Sequence, residues 1–305
     1  MSKVLITGGA GFIGSHLAQE LVRQGIEIVI IDNLRTGKLE NLSGIKHMFI
    51  NADIRDYNAL KSALEGCGRV YHLAALTSVI ESMDKIEECI SINLKGTLNI
   101  LRAAQENRIQ KVFFASSAAV YGESPELPKT ERMRLEPKSP YAITKADGEY
   151  YCDLYNDIFG VPTVSGRFFN VFGERQDPNS AYASAIPIFI KKALCNEPIT
   201  IYGDGTQTRD FIYVKDIVKA LIFLMESNSN GVYNIGYGVK NDINSLVNLI
   251  KGLASSNSEI SYFPERPGEI KHSFAAVDKL MNSGFEPGYA LKDGLLRTIN
   301  FMRKI

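Results

Sequence analysis

Apolar positions along this chain fall into two rhythms. Short runs of strand length recur at Lys3–Thr7, Glu27–Ile31, His47–Asn51, Val70–Leu73, Val112–Ala115 and Pro162–Arg167. Between them lie stretches with helical spacing. Phe12–Gln24 puts Ile13, Leu17 and Leu21 on one face, and Asp84–Asn107 and Tyr141–Phe159 are longer. A continuous apolar strand is buried on both faces, as in a parallel sheet. Strand and helix in alternation predict right-handed βαβ units. The expected fold is therefore α/β, a doubly wound parallel Rossmann sheet.

The rhythm changes after Gly173. Glu174–Ser180 is polar and turn-rich, followed by a helix over Ala183–Cys195 and a strand over Ile199–Tyr202. Phe211–Val214, a helix over Lys215–Glu226 and Val232–Ile235 read as a return to the main sheet. From Val239 the segments read as short and mixed. These breaks predict a dinucleotide-binding domain over 1–173 and 209–237. A smaller α/β substrate-binding lid would take 174–208 and 238–305.

Charge narrows the partners. The 34 basic and 34 acidic residues cancel, so no basic surface calls for a nucleic acid or a membrane. The four cysteines form no Cys-x-x-Cys pair, and no two of the four histidines stand at metal-ligand spacing. Reduced thiols, no metal and a cytoplasmic location are expected. The first apolar run passes straight into a glycine turn and is needed by the fold, so it does not read as a signal peptide.

That turn carries the first candidate chemistry. Gly8, Gly11 and Gly14 sit between a strand and an amphipathic helix. Glycine there permits a tight turn and close approach of backbone to a pyrophosphate, with the N–H groups of the helix start at Phe12 and Ile13 facing the phosphates. Asp32 ends the second strand, where a carboxylate accepts both ribose hydroxyls of an adenosine and repels a 2′-phosphate. NAD is therefore favoured over NADP, although Arg35 stands nearby. Asp53 and Ile54 follow the third strand and frame the adenine edge. Asp53 also reads as an N-cap for the Tyr57 segment.

Tyr141 and Lys145 lie one turn apart on one helix face. With fourteen tyrosines, about one such spacing arises by chance, and Tyr57 with Lys61 is a decoy. Ser117, at the end of a strand, makes the difference. A lysine ammonium and an oxidised nicotinamide both favour the phenolate, so Tyr141 is expected to take a proton from a hydroxyl that Ser117 also binds. The plain alternative makes Ser117 a turn residue and Tyr141 the residue after Pro140 at a helix start.

The chain resembles the extended short-chain dehydrogenase/reductases, and among them the nucleotide-sugar 4-epimerases. The resemblance rests on Thr7–Gly14, Asp32-Asn33-Leu34, His72-Leu73-Ala74-Ala75, Ser116–Gly122, Tyr141–Lys145, Arg167–Gly173, Gly203-Asp204-Gly205, Thr208–Phe211 and Arg266–Glu269. It implies cofactor contacts at Asn33, Leu73, Ala74, Ala75, Asn93, Tyr141 and Lys145. Ala118 and Ala119 stand where the family's 4,6-dehydratases carry Asp-Glu, and related decarboxylases carry a glutamate at the Ala119 position. Alanine transfers no proton. The implied reaction is reversible 4-epimerisation of a UDP-hexose through a 4-keto intermediate, with no net redox.

On the substrate side the resemblance implies Arg209 and Arg266 on the diphosphate, and Asn170 on the diphosphate or sugar. It puts Tyr202 on uracil, Glu269 on the uridine ribose, and Ser78 and Ser82 on the sugar. Tyr202 equally reads as a core aromatic. Ser273 matches a position where epimerases restricted to UDP-glucose carry tyrosine, so its small side chain leaves room for an N-acetyl group. Gln176–Tyr182 also resembles the N-acetylhexosamine epimerases. UDP-GlcNAc/UDP-GalNAc exchange is the favoured reading, and plain UDP-hexoses remain admitted. UDP-glucuronate 4-epimerisation and a non-catalytic NAD-binding regulator stay as alternatives. A homodimer through Asp84–Asn107 and Tyr141–Phe159 is also implied.

Overall fold

The computed structural model describes residues 3–179, 184–265 and 271–304. In chain order its strands are β1 (Lys3–Thr7), β2 (Ile28–Asp32), β3 (Met48–Asn51), β4 (Cys67–His72), β5 (Lys111–Ser117), β6 (Thr163–Phe168), β7 (Asn170–Phe172), β8 (Ile199–Tyr202), β9 (Thr208–Tyr213), β10 (Gly231–Ile235), β11 (Lys240–Asp242) and β12 (Ile260–Phe263). The helices that matter below are α1 (Phe12–Arg23), α2 (Tyr57–Ala63), α3 (Val79–Asp84), α4 (Ile86–Cys89), α5 (Gly96–Glu106) and α6 (Pro140–Ile158).

Seven strands form one sheet in the order β10-β6-β5-β4-β1-β2-β3. Every pairing from β6 to β3 is parallel, which is the doubly wound architecture expected. Parallel strands turn their carboxyl ends to one edge, so Gly8, Asp32, Asp53, Leu73 and Ser117 share it. The strands are apolar because both faces are covered: on one, Leu5, Ile31, Val70 and Val112 pack with Ile100, Leu101 and Cys152 from α5 and α6, and the alternate residues Ile6, Ile30, Tyr71 and Phe113 are buried as well. Glycines set the closest approaches. A Cβ at Gly148 of α6 would stand 2.3 Å from the Phe114 ring of β5, and one at Gly96 of α5 would stand 2.4 Å from Ile54.

The chain divides into two compact units. The first comprises Met1–Gly122, Arg134–Phe168 and Val218–Tyr233; the second comprises Glu123–Met133, Phe169–Ile217 and Asn234–Ile305. Compactness thus draws Glu123–Met133, Phe169–Gly173, Arg209–Ile217 and Asn234–Tyr237 into the second unit, unlike the partition read from segment rhythm. Its β9 lies between β7 and β11 in a separate three-stranded sheet, while β8 pairs with β12. The expected return of Phe211–Val214 to the main sheet is therefore corrected. A buried apolar run looks the same in any central strand and does not name its partner. The stretch after Val239 is also more regular than expected, with 12-residue helices at Ile243–Ala254 and Leu291–Met302.

The single helix expected over Asp84–Asn107 is broken. Lys85 leaves helical geometry at φ −128° and ψ 57° between α3 and α4, and Ile90–Lys95 forms a π-helical segment. Widened turns of this kind are frequent at functional sites, and this one contains Asn93. Among the described residues no helix is long and apolar enough to cross a membrane.

Candidate active site

Gly8 takes φ +70°, and a Cβ there would lie 2.8 Å from the Ala74 nitrogen. A Cβ at Gly14 would lie 2.2 Å from the Gly8 carbonyl oxygen, whereas one at Gly11 meets only that oxygen, at 3.2 Å. Gly8 and Gly14 close the turn, and Gly11 leaves its outer side clear. Helix α1 then starts at Phe12 with no side-chain cap and no acidic residue in its first turn. Such a helix end retains unmatched N–H groups and a positive dipole end, the physical basis of anion binding.

Beside it, Asp32 is buried. Its two carboxylate oxygens accept the backbone N–H groups of Ala10 at 3.0 Å and Leu34 at 2.8 Å. Burial pushes its pKa up, and those two hydrogen bonds pull against the rise. Arg35 is held elsewhere, in ion pairs of 2.7 Å with both Glu81 and Glu88. Asn33 donates to Asp53 at 2.9 Å, and Asp53 grips Arg55 through both oxygens. Hydrogen bonding from Arg55 lowers the Asp53 pKa to about 2. The N-cap of α2 is Asp56, which accepts the Ala59 N–H. The capping role read for Asp53 is thereby corrected: two acids stand near the helix start, and spacing favours the nearer. Ile54 is buried against Gly96.

Ser117 ends β5, and its hydroxyl accepts the Ala119 N–H at 3.2 Å. Ser139 caps α6, Pro140 fills its first turn and Tyr141 follows. This start orients Tyr141, while Lys145 lies one turn on with its Nζ 5.8 Å from the Tyr141 ring centre. That Nζ donates to the Ala115 carbonyl at 2.7 Å. Burial lowers the Lys145 pKa to about 8. Burial raises the Tyr141 pKa, and a hydrogen bond from Ser117 partly offsets the rise.

Behind these groups runs a buried polar chain that spacing did not reveal. Thr7 Oγ1 accepts the N–H groups of Leu73 and Ala74, so its own proton goes to His72 Nδ1 at 2.8 Å. His72 Nε2 then carries the ring hydrogen and donates to Thr97 at 3.0 Å, and Thr97 donates to the Asn93 carbonyl. Burial drives the His72 pKa down to about 3, so the ring stays neutral. The Asn93 side chain exchanges two hydrogen bonds with the Leu76 backbone and donates to Thr144 of α6 at 3.1 Å. Leu73, Ala74 and Ala75 are half-buried at the end of β4. The only local signal for this chain was a histidine ending an apolar strand.

Ser78 caps α3 through the Glu81 N–H. Ser82 is fully buried, donating to the Val79 carbonyl at 2.6 Å and accepting the Tyr141 N–H at 3.2 Å. Its hydroxyl is committed to the start of α6.

In the second unit, Asn170 is exposed on β7. Tyr202 lies 6.2 Å from Phe263, ring centre to ring centre, with 36% of its surface exposed, which removes the core reading of Tyr202. Arg209 anchors one guanidinium nitrogen on the carbonyls of Thr208 and Lys271. Ser273 donates its N–H to the Thr208 carbonyl at 3.1 Å. Asp210, which spacing did not single out, is wholly buried and accepts the N–H groups of Tyr237, Gly238 and Ala275. Arg266, Glu269 and Ser180–Tyr182 lie outside the described residues.

A parallel sheet whose carboxyl edge carries a glycine turn, a ribose-type carboxylate and a Ser/Tyr/Lys set defines a dinucleotide-dependent enzyme. The chain belongs to the NAD dependent epimerase/dehydratase family, whose model matches residues 4–236. It is 40% identical over 302 residues to a putative UDP-glucose 4-epimerase of Methanocaldococcus jannaschii, covering 98% of each chain. A solved UDP-N-acetylglucosamine 4-epimerase from Methanobrevibacter ruminantium M1, in complex with UDP-N-acetylmuramic acid, superposes with a TM-score of 0.96 at 41% identity. That match covers 99% of this chain and 98% of the other. UDP-glucose 4-epimerase from Thermus thermophilus, complexed with NAD, gives a TM-score of 0.91 at 36% identity over 99% of each chain.

Proposed function

We propose that this protein is an NAD-dependent nucleotide-sugar 4-epimerase acting on a UDP-hexose. UDP-GlcNAc/UDP-GalNAc is the favoured pair, and UDP-glucose/UDP-galactose is admitted. The observation that carries the reading is the Ser117–Tyr141 hydroxyl pair beside Lys145, followed by Ala118 and Ala119 where elimination or decarboxylation needs a carboxylate. We assign cofactor, chemistry and the Ser78 contact to the sugar to the first unit, and the other UDP-sugar contacts to the second.

The residues present fit NAD. The open side at Gly11 and the uncapped start of α1 suit a pyrophosphate, with Phe12 and Ile13 offering N–H groups. Asp32 suits an unphosphorylated ribose, and its neighbour Arg35 is engaged by two glutamates. Asn33, Asp53 and Ile54 are assigned to the adenosine side. Leu73, Ala74, Ala75, Asn93 and Lys145 are assigned to the remainder. NAD, when bound, supplies a reversible hydride acceptor and a positive charge.

In this reading Tyr141 takes the proton of the sugar C4 hydroxyl and later returns it. Ser117 holds the same oxygen, leaving its own proton free by accepting from Ala119. The Lys145 ammonium supports the phenolate. Arg209 and Arg266 hold the diphosphate, Asn170 the diphosphate or sugar, Tyr202 the uracil and Glu269 the ribose, while Ser78 meets the sugar. Ser82 acts through the Tyr141 backbone, whose N–H it accepts. Ser273 leaves space at C2. Proton NMR of the purified protein with UDP-GlcNAc and no added cofactor tests this. UDP-GalNAc forming to a steady ratio is expected; no conversion of UDP-GlcNAc, UDP-glucose or their C4 epimers, even with added NAD, contradicts it.

Two further assignments belong to the reading. α6 exposes Ile143, Tyr150, Leu154 and Ile158 along one face, and α3 and α4 expose Ile80, Met83 and Ile86. That much exposed apolar surface supports a homodimer through these helices. Light scattering after size exclusion should give twice the monomer mass, falling to the monomer in Tyr150→Glu/Ile158→Glu. The four free cysteines, three of them buried, suit the cytoplasm.

A further inference from the structure

We propose that Glu149 is a positioning residue for the reaction. It clamps the strand end that bears Ser117 to the helix that bears Tyr141 and Lys145. The inference rests on the assignment of those three residues as the catalytic set.

Glu149 lies one turn beyond Lys145 on α6 and is 2% exposed. Its Oε1 accepts from the Ser116 hydroxyl, next to Ser117 on β5, and from Arg167 Nε at 2.9 Å. Its Oε2 accepts Arg167 Nη2 at 2.6 Å. The fork of Arg167, which lies on β6, does not stop there. Nη1 donates to the Tyr121 hydroxyl at 2.8 Å, and the guanidinium sits 4.8 Å from that ring centre. Tyr121 closes the short helical turn Ala118–Tyr121 that Ser117 caps. One carboxylate and one guanidinium therefore join α6, both ends of the Ser117 corner and the neighbouring strand.

Such a pair is not what stability alone would select. Apolar side chains of similar volume often serve a core as well as or better than a buried ion pair. What the pair adds is direction: a bidentate fork fixes distance and plane together. The parts it fixes are those whose separation decides whether Ser117 and Tyr141 reach the same oxygen, and misplacement by about 1 Å costs on the order of 100-fold in rate.

Glu149 also bears on Lys145. The titratable groups facing that ammonium are Tyr141 on its own helix, Cys89 and Cys152, Glu149, and His72 of β4. Of these Glu149 is the carboxylate, and its charge works against the desolvation that lowers Lys145.

The test compares the wild type with E149Q, E149Q/R167M and R167K, using UDP-GlcNAc and UDP-glucose and scoring rate per folded molecule. The double variant removes both charges and leaves none stranded. Its kcat is expected to fall about 10- to 100-fold with KM within about twofold. If the double variant does not fold, R167K carries the test. It keeps the charge but loses the fork to Tyr121, and a lowered kcat is again expected. Full kcat per folded molecule in the folded double variant or in R167K overturns the clamp. A Tyr141→Phe control separates the two readings: full turnover there defeats the catalytic assignment itself.

Discussion

Tyr141→Phe is expected to cut kcat by on the order of 10³-fold, with KM nearly unchanged. Removing one hydroxyl deletes the proton acceptor and leaves the ring in place. General acid–base catalysis contributes roughly 10²–10⁴-fold, so the middle of that range corresponds to about 4 kcal/mol of barrier. Burial raises the Tyr141 pKa in the protein alone, and Ser117 offsets only part of that rise. Ser117 then has no charge of its own with which to replace the phenolate. Steady-state rates with UDP-GlcNAc in both directions check this, and retention of bound NAD shows that the variant is intact. Turnover within about threefold of the wild type would remove Tyr141 from the chemistry.

Ser273→Tyr is expected to lower kcat/KM for UDP-GlcNAc by about 100-fold while sparing UDP-glucose. The backbone around this position is pinned on both sides. Ser273 N–H donates to Thr208, Lys129 N–H donates to the Phe274 carbonyl, and Ala276 N–H donates to the Lys129 carbonyl. Ala275 N–H is held by the buried Asp210. A larger side chain therefore changes the space in front of the segment while its path stays fixed. The added ring occupies the volume assigned to the acetamido group and crowds a C2 hydroxyl far less. Competition between the two substrates in one reaction measures the ratio directly. An equal fall for both, or no change for either, contradicts the assignment of Ser273 to C2.

Features set by local spacing were legible in the sequence. The glycine turn, Asp32 at the end of β2, and Ser117 at the end of β5 each need only a strand, a turn and a residue type. Tyr141 and Lys145 need one helical turn. Pairings between distant residues were not legible. Nothing in the run Phe211–Val214 says that it joins β7 and β11, and nothing in Asp84–Asn107 announces Lys85 leaving the helix or the widened turn at Asn93. The Leu76 backbone captures the Asn93 side chain across 17 positions, a contact that local spacing does not announce. Ser82 was readable as a sugar contact until the start of α6 came to rest on its hydroxyl. His72, Glu149 and Arg167 stood as polar residues on apolar backgrounds, and only the fold supplies their partners.

The central claim is that the C4 hydrogen leaves the sugar and returns to the same carbon on the opposite face. Conversion of UDP-GlcNAc carrying deuterium at C4, in ordinary water, tests it most directly. UDP-GalNAc that keeps the deuterium at C4 is the predicted result. UDP-GalNAc formed with that deuterium replaced by solvent hydrogen would contradict it, because the inversion would then pass through proton exchange with water.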